Sequence, residues 1–413
     1  MKTLFISDVS IHQVIGGAER VLYEQAVGLR RRGHEVHVMT RRLDTHKALA
    51  EDICGVQERR YDVKAQNPLS FLLTTLFNGS RLFRDLEKRV GFDAVNAHQP
   101  FSAWAALRGG LGKRPFVYTC HSLSFEEYLS RRRALGRRHR ILDTINVHLR
   151  KKIEKTVLKK AAGIIVLSSF TKEKLRAVYG IDEGKVAIVP GGVDLGRFHP
   201  AAPEERTEIR RRLGLPTDRL VLLTVRNLVP RMGLENLITA MGDVVRSVPA
   251  AILVIGGTGS LREGLVRLRD DLGLTPHIRF AGFIPEEDLP DYYRAADLFV
   301  LPTVALEGFG LVTLEALASG TPVLGTPVGG TREILQGNAP GRLFRDTTPS
   351  AMAELIIQEA LLLVKEPGRR EELSRECRDF TEQYYGWDQN VAATERLLAE
   401  LRVGLSGKRD KAV

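Results

Sequence analysis

The sequence predicts an α/β protein built from two doubly wound parallel sheets in tandem. Three observations lead there. The chain has 413 residues, more than one ordinary core holds, so two domains of roughly 180–200 residues each are expected. Short apolar runs alternate with helical stretches in two separate series, the pattern of strands joined by helical crossovers. Residues with chemical character (Gly16, Gly17, His98, His121, Arg226, Gly257, Glu307) fall just after such runs. Parallel sheets of this kind bind ligands at the carboxyl ends of their strands.

The elements follow in order. Residues 2–7 read as a strand. Asp8 ends the apolar run and no small-residue cleavage pattern follows, so the stretch reads better as a first strand than as a signal peptide. Residues 19–32 form a helix closed by Gly33. Residues 34–40 alternate polar and apolar side chains, as a strand does. Residues 94–98 and 116–121 are short strands, each ending in a histidine, and 163–168 is another. Around Val189-Pro190-Gly191-Gly192-Val193-Asp194 the pattern pauses, and a polar, charged segment runs to Arg212. That pause divides the chain into domains 1–195 and 196–385. In the second series, 220–225, 251–255, 278–281, 298–301 and 322–325 are strands. Residues 234–245, 311–319, 351–364 and 388–405 are helices. No fixed-period repeat and no low-complexity segment occur.

Composition narrows the class. Hydrophobic residues make up 43% and charged residues 27%, as in soluble globular proteins. No apolar run nears the roughly 18 residues that span a bilayer. Cys54, Cys120 and Cys377 are scattered, with no Cys-x-x-Cys pair. That argues against a disulfide framework or zinc site and for a cytoplasmic location. The net charge of +11 is uneven, because residues 121–160 hold twelve Lys and Arg against four Asp and Glu. From Arg131 to Lys160 the segment reads as a basic amphipathic helix with Ile141, Ile145, Leu149 and Ile153 four apart. Two readings compete. Either the stripe packs on the core beneath solvated charges, or it docks on anionic lipid headgroups as a peripheral membrane contact on the inner face. Nucleic acid does not fit, because aromatic residues are not interleaved with the basic ones.

The most informative stretch is Glu307-Gly308-Phe309-Gly310-Leu311-Val312-Thr313-Leu314-Glu315. It lies at a strand-to-helix turn, where backbone N–H groups and a helix dipole favour anions. Two carboxylates flank it and suit hydroxyl groups. A ligand with phosphate in the middle and polyols at both ends, such as a nucleotide sugar, has that layout. Arg226 follows the strand 220–225 directly and Arg231 lies five residues on, so both can neutralise a diphosphate. As ordinary loop arginines they would need no ligand. Gly256-Gly257-Thr258-Gly259 is a weak signal, and neither a dinucleotide fingerprint nor a Walker A loop occurs. No Asp-x-Asp pair exists to hold a nucleotide through Mg²⁺. His121 stands at a strand end with His98 on a neighbouring strand, and each is either structural or catalytic. Gly16-Gly17 lets backbone approach a phosphate or sugar, although a plain tight turn explains it almost as well.

Taken in order, these motifs resemble the retaining glycosyltransferases of family 4, across nearly the whole chain. The resemblance rests on Gly16-Gly17-Ala18-Glu19-Arg20, Thr119-Cys120-His121, Val189-Pro190-Gly191-Gly192-Val193-Asp194 and Arg226-Asn227-Leu228-Val229-Pro230-Arg231-Met232-Gly233. It continues through Gly256-Gly257-Thr258-Gly259, Phe280-Ala281-Gly282-Phe283 and the Glu-x7-Glu element of Glu307 and Glu315. It implies the GT-B fold: two Rossmann-like domains facing a cleft, with the last helix (386–413) crossing back to the first domain. It implies a catalytic group of His121, Glu307 and Arg226. Donor contacts would come from Gly16, Gly17, Arg226, Arg231, Gly257, Phe283, Phe309, Gly310, Leu311 and Glu315. Glu307 would hold the sugar, Glu315 the ribose, and the Gly282–Phe283 backbone the base. The implied reaction is metal-independent transfer from a nucleotide-diphosphate sugar, with no cofactor, to a glycan or lipid-linked hydroxyl acceptor, with retention.

Two departures stand out. Met232 occupies the position where the family usually has Lys, and Gly191 the position where it usually has Asn. With Met232, either Arg231 re-aims to supply the cation or diphosphate binding weakens. A nucleotide-sugar epimerase, a phosphorylase, or a nucleotide-sugar binder without catalysis are the alternatives. Acceptor choice would lie in segments 67–79 and 123–140, read as loops of the first domain.

Overall fold

In the computed structural model, which describes residues 1–12, 16–134, 140–336 and 339–409, the chain forms two compact units. One comprises Met1–Arg131, Arg138–Gly191 and Trp387–Val413, and the other is built on Gly192–Gly386.

The first unit runs β1 (Lys2–Ile6), α1 (Gly17–Arg31), β2 (Glu35–Arg41), β3 (Ala50–Ile53), β4 (Val56–Tyr61), α2 (Pro68–Val90), β5 (Ala94–Ala97) and α3 (Pro100–Gly109). It continues with β6 (Val117–Cys120), α4 (Ser124–Ala134), α5 (Arg140–Lys160), β7 (Gly163–Val166), α6 (Ser169–Tyr179) and β8 (Val186–Ile188). The strands form one sheet in the order β3-β4-β2-β1-β5-β6-β7-β8. All pairs are parallel except the β3–β4 hairpin. β1 and β5 are almost wholly buried, as central strands covered on both faces must be. Phe83 and Leu86 of α2, Ala103 and Ala106 of α3, Val157 and Leu158 of α5 and Leu175 of α6 share one core. Leu22, Ala26 and Leu29 of α1 belong to another.

The second unit runs α7 (Pro203–Arg212), β9 (Leu220–Val225), α8 (Leu234–Ser247), β10 (Ala251–Gly256), α9 (Arg262–Asp271), β11 (Ile278–Gly282), α10 (Leu289–Ala295) and β12 (Leu298–Leu301). Then come α11 (Leu311–Ala318), β13 (Val323–Gly325), α12 (Gly330–Leu335), β14 (Arg342–Leu343), α13 (Pro349–Lys365) and α14 (Arg369–Tyr384). Its sheet is entirely parallel, in the order β11-β10-β9-β12-β13-β14. Val193 pairs with Gly386, so the outgoing and returning segments run side by side.

The last helix, α15 (Trp387–Arg409), belongs to the first unit. It packs on α1: Gln25, fully buried, donates to Asn390 at 3.0 Å and Thr394 at 3.1 Å. Gly28 makes the approach close, since a Cβ there would sit 2.6 Å from Val391. His34 of the first unit also meets Glu395 at 2.6 Å.

Several stretches differ from the sequence reading. The polar segment before Arg212 contains α7, which Pro203 starts and Glu204, Glu205 and three closing arginines favour electrostatically. Arg210 and Arg206 of that helix fix it to the partly buried Asp297. Residues 67–79 are not a loop but the first half of α2. Asn67 caps it by accepting from the Ser70 amide at 2.8 Å, and Pro68 occupies its first turn. Most of 123–140 is likewise helical, in α4 and the start of α5; residues 135–139 lie outside the described residues. The sequence reading also passed over β3, β4, β8 and α14. Among the described residues no helix is long and apolar enough to cross a membrane.

Candidate functional site

In the second unit, β9 has β10 on one side and β12 on the other. The chain order reverses there, and that is where a doubly wound sheet opens a crevice at its carboxyl edge. Arg226 leaves β9 at this point, and the loop carrying Glu307 leaves β12. The two side chains form a buried ion pair, 6% and 11% exposed. Thr303 joins them, accepting from Arg226 Nη2 at 3.0 Å and donating to Glu307 Oε2 at 3.2 Å.

Met232 is buried against the same guanidinium. Its Sδ accepts from Arg226 Nε at 3.3 Å and Nη2 at 3.0 Å. Sulfur is a weak acceptor, so these contacts orient the arginine without neutralising it. Arg231 donates to the Leu306 carbonyl at 3.1 Å, which places it on the Glu307 loop rather than beside Met232.

That loop is held in an unusual shape. Leu306 has φ +58°, a costly value for a side chain of its kind. Gly310, with φ +93°, leads into α11. A Cβ on Gly310 would lie 2.5 Å from Thr331 Oγ1 and 3.2 Å from Thr313 Oγ1. Both hydroxyls are buried and have no hydrogen-bond partner among the described residues. Gly329 closes the loop from behind, because a Cβ there would strike the Glu307 carbonyl oxygen at 1.9 Å. The α11 N-terminus thus brings first-turn amides and two hydroxyls, unmet among the described residues, to the loop that Arg226 holds through Glu307, a set suited to a phosphate.

The other predicted donor residues take varied positions. Glu315, on the second turn of α11, accepts from the Tyr293 phenol at 2.9 Å. Burial and the nearby Glu315 carboxylate raise the Tyr293 pKa well above its ordinary value, so the phenol stays a donor. The Phe309 ring turns inward toward Tyr385, which leaves its backbone as the part available to a ligand. Leu311 opens α11. Gly257 serves loop packing: a Cβ there would lie 1.9 Å from the Arg226 carbonyl oxygen. Phe283, by contrast, is 72% exposed at the end of β11.

In the first unit, Gly16 and Gly17 are exposed at the start of α1. His98 follows β5 and His121 follows the adjacent β6, which sets His98 Nδ1 3.0 Å from His121 Nε2. His98 Nε2 and His121 Nδ1 are buried and unpartnered among the described residues. Burial lowers the His121 pKa to about 4, and burial with His121 alongside lowers that of His98 well below the usual value. Both rings are therefore neutral at pH 7, so one can pass a hydrogen bond along the pair but neither offers a charge. The ring resonances of both histidines should stay at their neutral positions from pH 8 to pH 5 in an NMR titration. A midpoint near 6.5 would contradict the burial argument. Unfolded histidines protonate near pH 6.5. The pair's contribution to stability is therefore present above that pH and lost as pH falls toward 4.

The structure thus gathers Arg226, Arg231, Gly257, Glu307, Phe309, Gly310, Leu311 and Glu315 at one sheet edge. It joins His121 to His98 at another. Thr303, Gly329 and Thr331 were absent from the sequence reading, and Thr313 stood in it only as a member of the 307–315 stretch, with no role. The Gly329-Gly330 pair just past the strand 322–325 was the available signal. Among the described residues no group of three or more His, Cys, Asp or Glu is placed to hold a metal ion.

This fold and site define a GT-B glycosyltransferase. Residues 15–197 match the family described as Glycosyltransferase Family 4, and residues 205–379 match Glycosyl transferases group 1. The chain belongs to glycosyltransferase family 4. It is 31% identical over 409 residues to a D-inositol 3-phosphate glycosyltransferase of Thermomonospora curvata, covering 93% of this chain and 89% of that one. It is 35% identical over 204 residues to a GDP-mannose-dependent alpha-(1-6)-phosphatidylinositol monomannoside mannosyltransferase of Mycobacterium tuberculosis, covering 47% of this chain and 52% of the other. Sucrose-phosphate synthase from Thermosynechococcus elongatus shares the fold, with a TM-score of 0.80 at 24% identity, covering 98% of this chain and 100% of that one.

Proposed function

We propose that the protein transfers a hexose from a nucleotide-diphosphate sugar to a hydroxyl of a phosphate-bearing, lipid-linked acceptor, with retention and without a metal ion. One observation carries the donor half: the α11 N-terminus, Arg226 and the Thr313 and Thr331 hydroxyls, unpartnered among the described residues, converge at the β9–β12 switch point. The acceptor half draws on two relatives, whose names describe transfer to an inositol phosphate and to a phosphatidylinositol mannoside.

In this reading Arg226 and the α11 amides bind the diphosphate. Glu307 exchanges part of its arginine contact for sugar hydroxyls, and Glu315 holds the ribose. The acceptor oxygen bonds to the anomeric carbon on the face from which the diphosphate leaves. The bond to the leaving oxygen breaks, and the acceptor proton passes to that departing phosphate. Arg226 and the helix dipole stabilise its growing charge. His121, held neutral by burial, serves as a hydrogen-bond partner near the acceptor.

A thermal-shift panel of UDP, GDP, ADP and CDP sugars, with and without EDTA, tests the donor site. A shift with one base that survives EDTA supports the reading; a shift abolished by EDTA removes metal independence. The anomeric configuration of the product, read by NMR, tests retention. Glu315→Gln should raise the donor dissociation constant by about tenfold, the worth of a charge-assisted hydrogen bond, with turnover at saturation little changed. An unchanged dissociation constant would remove the ribose assignment.

A further inference from the structure

We propose that the exposed faces of α2 and α5 form a docking surface for an anionic lipid bilayer. This deepens the acceptor reading by naming the surface from which a lipid-linked acceptor would be reached.

Both helices carry the same layout. On α2, Leu69, Leu73 and Phe77 are 67%, 58% and 69% exposed, four residues apart on one stripe. Arg81, Arg84 and Lys88 continue that stripe and are exposed. On α5, Ile141 and Ile145 are 77% and 58% exposed. Lys152, Lys155 and Lys159 continue that stripe, also exposed. Each helix thus shows an apolar first half and a basic second half on the face turned away from its core residues.

The two stripes also share direction. α2 leads from β4 to β5, and α5 leads into β7, so both run antiparallel to the parallel strands. Their buried faces join one core, and α3 packs against both. Phe71 of α2 meets Phe101 of α3 at 5.6 Å between ring centroids, and the Arg150 guanidinium of α5 lies 4.9 Å from the Phe101 ring. Both apolar halves therefore lie toward the strand carboxyl edge that carries His98 and His121, and both basic halves lie farther from it.

This order matches a bilayer interface: apolar side chains at acyl-chain depth, cations among headgroups. Charge complementarity points to an anionic surface. The carboxylates of both helices are turned to other partners: Asp85 to Arg89, Glu87 to Arg114, Asp143 to Tyr128, and Glu154 to Tyr179. Among the described residues none of the six stripe cations has an ion-pair partner. A second copy of the chain seated on this face would bring those cations against their own kind.

The test is flotation of the full chain with phosphatidylcholine vesicles, with and without phosphatidylglycerol. Binding only to the anionic vesicles, weakened by salt, is expected. Each cation near an anionic surface adds roughly fivefold. Reversing Arg81, Arg84, Lys152 and Lys155 to Glu should therefore cut binding by at least about a hundredfold. Leu73→Ser with Phe77→Ser should weaken binding while leaving the salt dependence in place. The donor-induced thermal shift, measured on each variant, reports an intact fold and keeps this test separate from the donor reading. Equal binding to both vesicle types, binding to neither, or a Phe77-dependent dimer in light scattering would overturn the proposal.

Discussion

Arg226→Ala should lower turnover by about 10²–10³-fold, the usual cost of removing one preorganised donor to a developing negative charge. The same substitution strands Glu307 at a buried position, which typically costs about 3–5 kcal/mol when an ion-pair partner is removed. The variant should therefore melt at a lower temperature as well as turn over slowly. Pairing Arg226→Met with Glu307→Gln separates the effects. The neutral pair should recover most of the thermal stability, because neither charge is left uncompensated, yet turnover should stay low. Steady-state kinetics and a melting curve on both variants are sufficient. Near-normal turnover in either would remove Arg226 from the leaving-group role.

Met232→Lys should tighten donor binding and destabilise the free protein. Met232 is 4% exposed, and its sulfur meets the Arg226 guanidinium at 3.0 and 3.3 Å. A lysine here would put a second cation beside Arg226 in a buried setting with one carboxylate, Glu307, close by. Without ligand, that repulsion should lower the melting temperature. A bound diphosphate supplies the missing negative charge. A charge-assisted hydrogen bond is worth about 1.5–3 kcal/mol, so the donor dissociation constant should fall about 10- to 100-fold. The thermal shift produced by donor should exceed that of the parent chain. If the lysine variant binds donor no better, the sulfur is not standing in the diphosphate's path. Arg231 does not stand beside Met232, because its guanidinium donates to the Leu306 carbonyl at 3.1 Å.

The strand ends were readable because their signals are local. Leu220–Val225 and Leu298–Leu301 are short apolar runs stopped by a polar or turn residue, and the structure has them as β9 and β12 with the same limits. The turn after Glu307 was readable for the same reason, since glycine spacing before a helical run reports a helix N-terminus. Segment 67–79 misled for a physical reason. Its apolar residues do not all face the core: Leu69, Leu73 and Phe77 face outward and blur the 3.6-residue period on which a helix reading depends. In α7, ion pairs to Asp297 carry the docking, and a hydrophobic period does not record such pairs.

The sequence by itself determined the class of the protein: alternating strands and helices in two series, basic and glycine residues at the strand ends, and the Glu307–Glu315 spacing. The tertiary structure alone decided what each of those residues touches. Arg226 and Glu307 are 81 residues apart and meet because β9 lies beside β12. His98 and His121 meet because β5 lies beside β6. Gly329 is required to be glycine because the turn after β13 presses on the Glu307 carbonyl. Periodicity and turn chemistry act over a few residues and leave a local trace. Strand order is fixed by the packing of the whole sheet, so the contacts that depend on it appear only once the chain has folded.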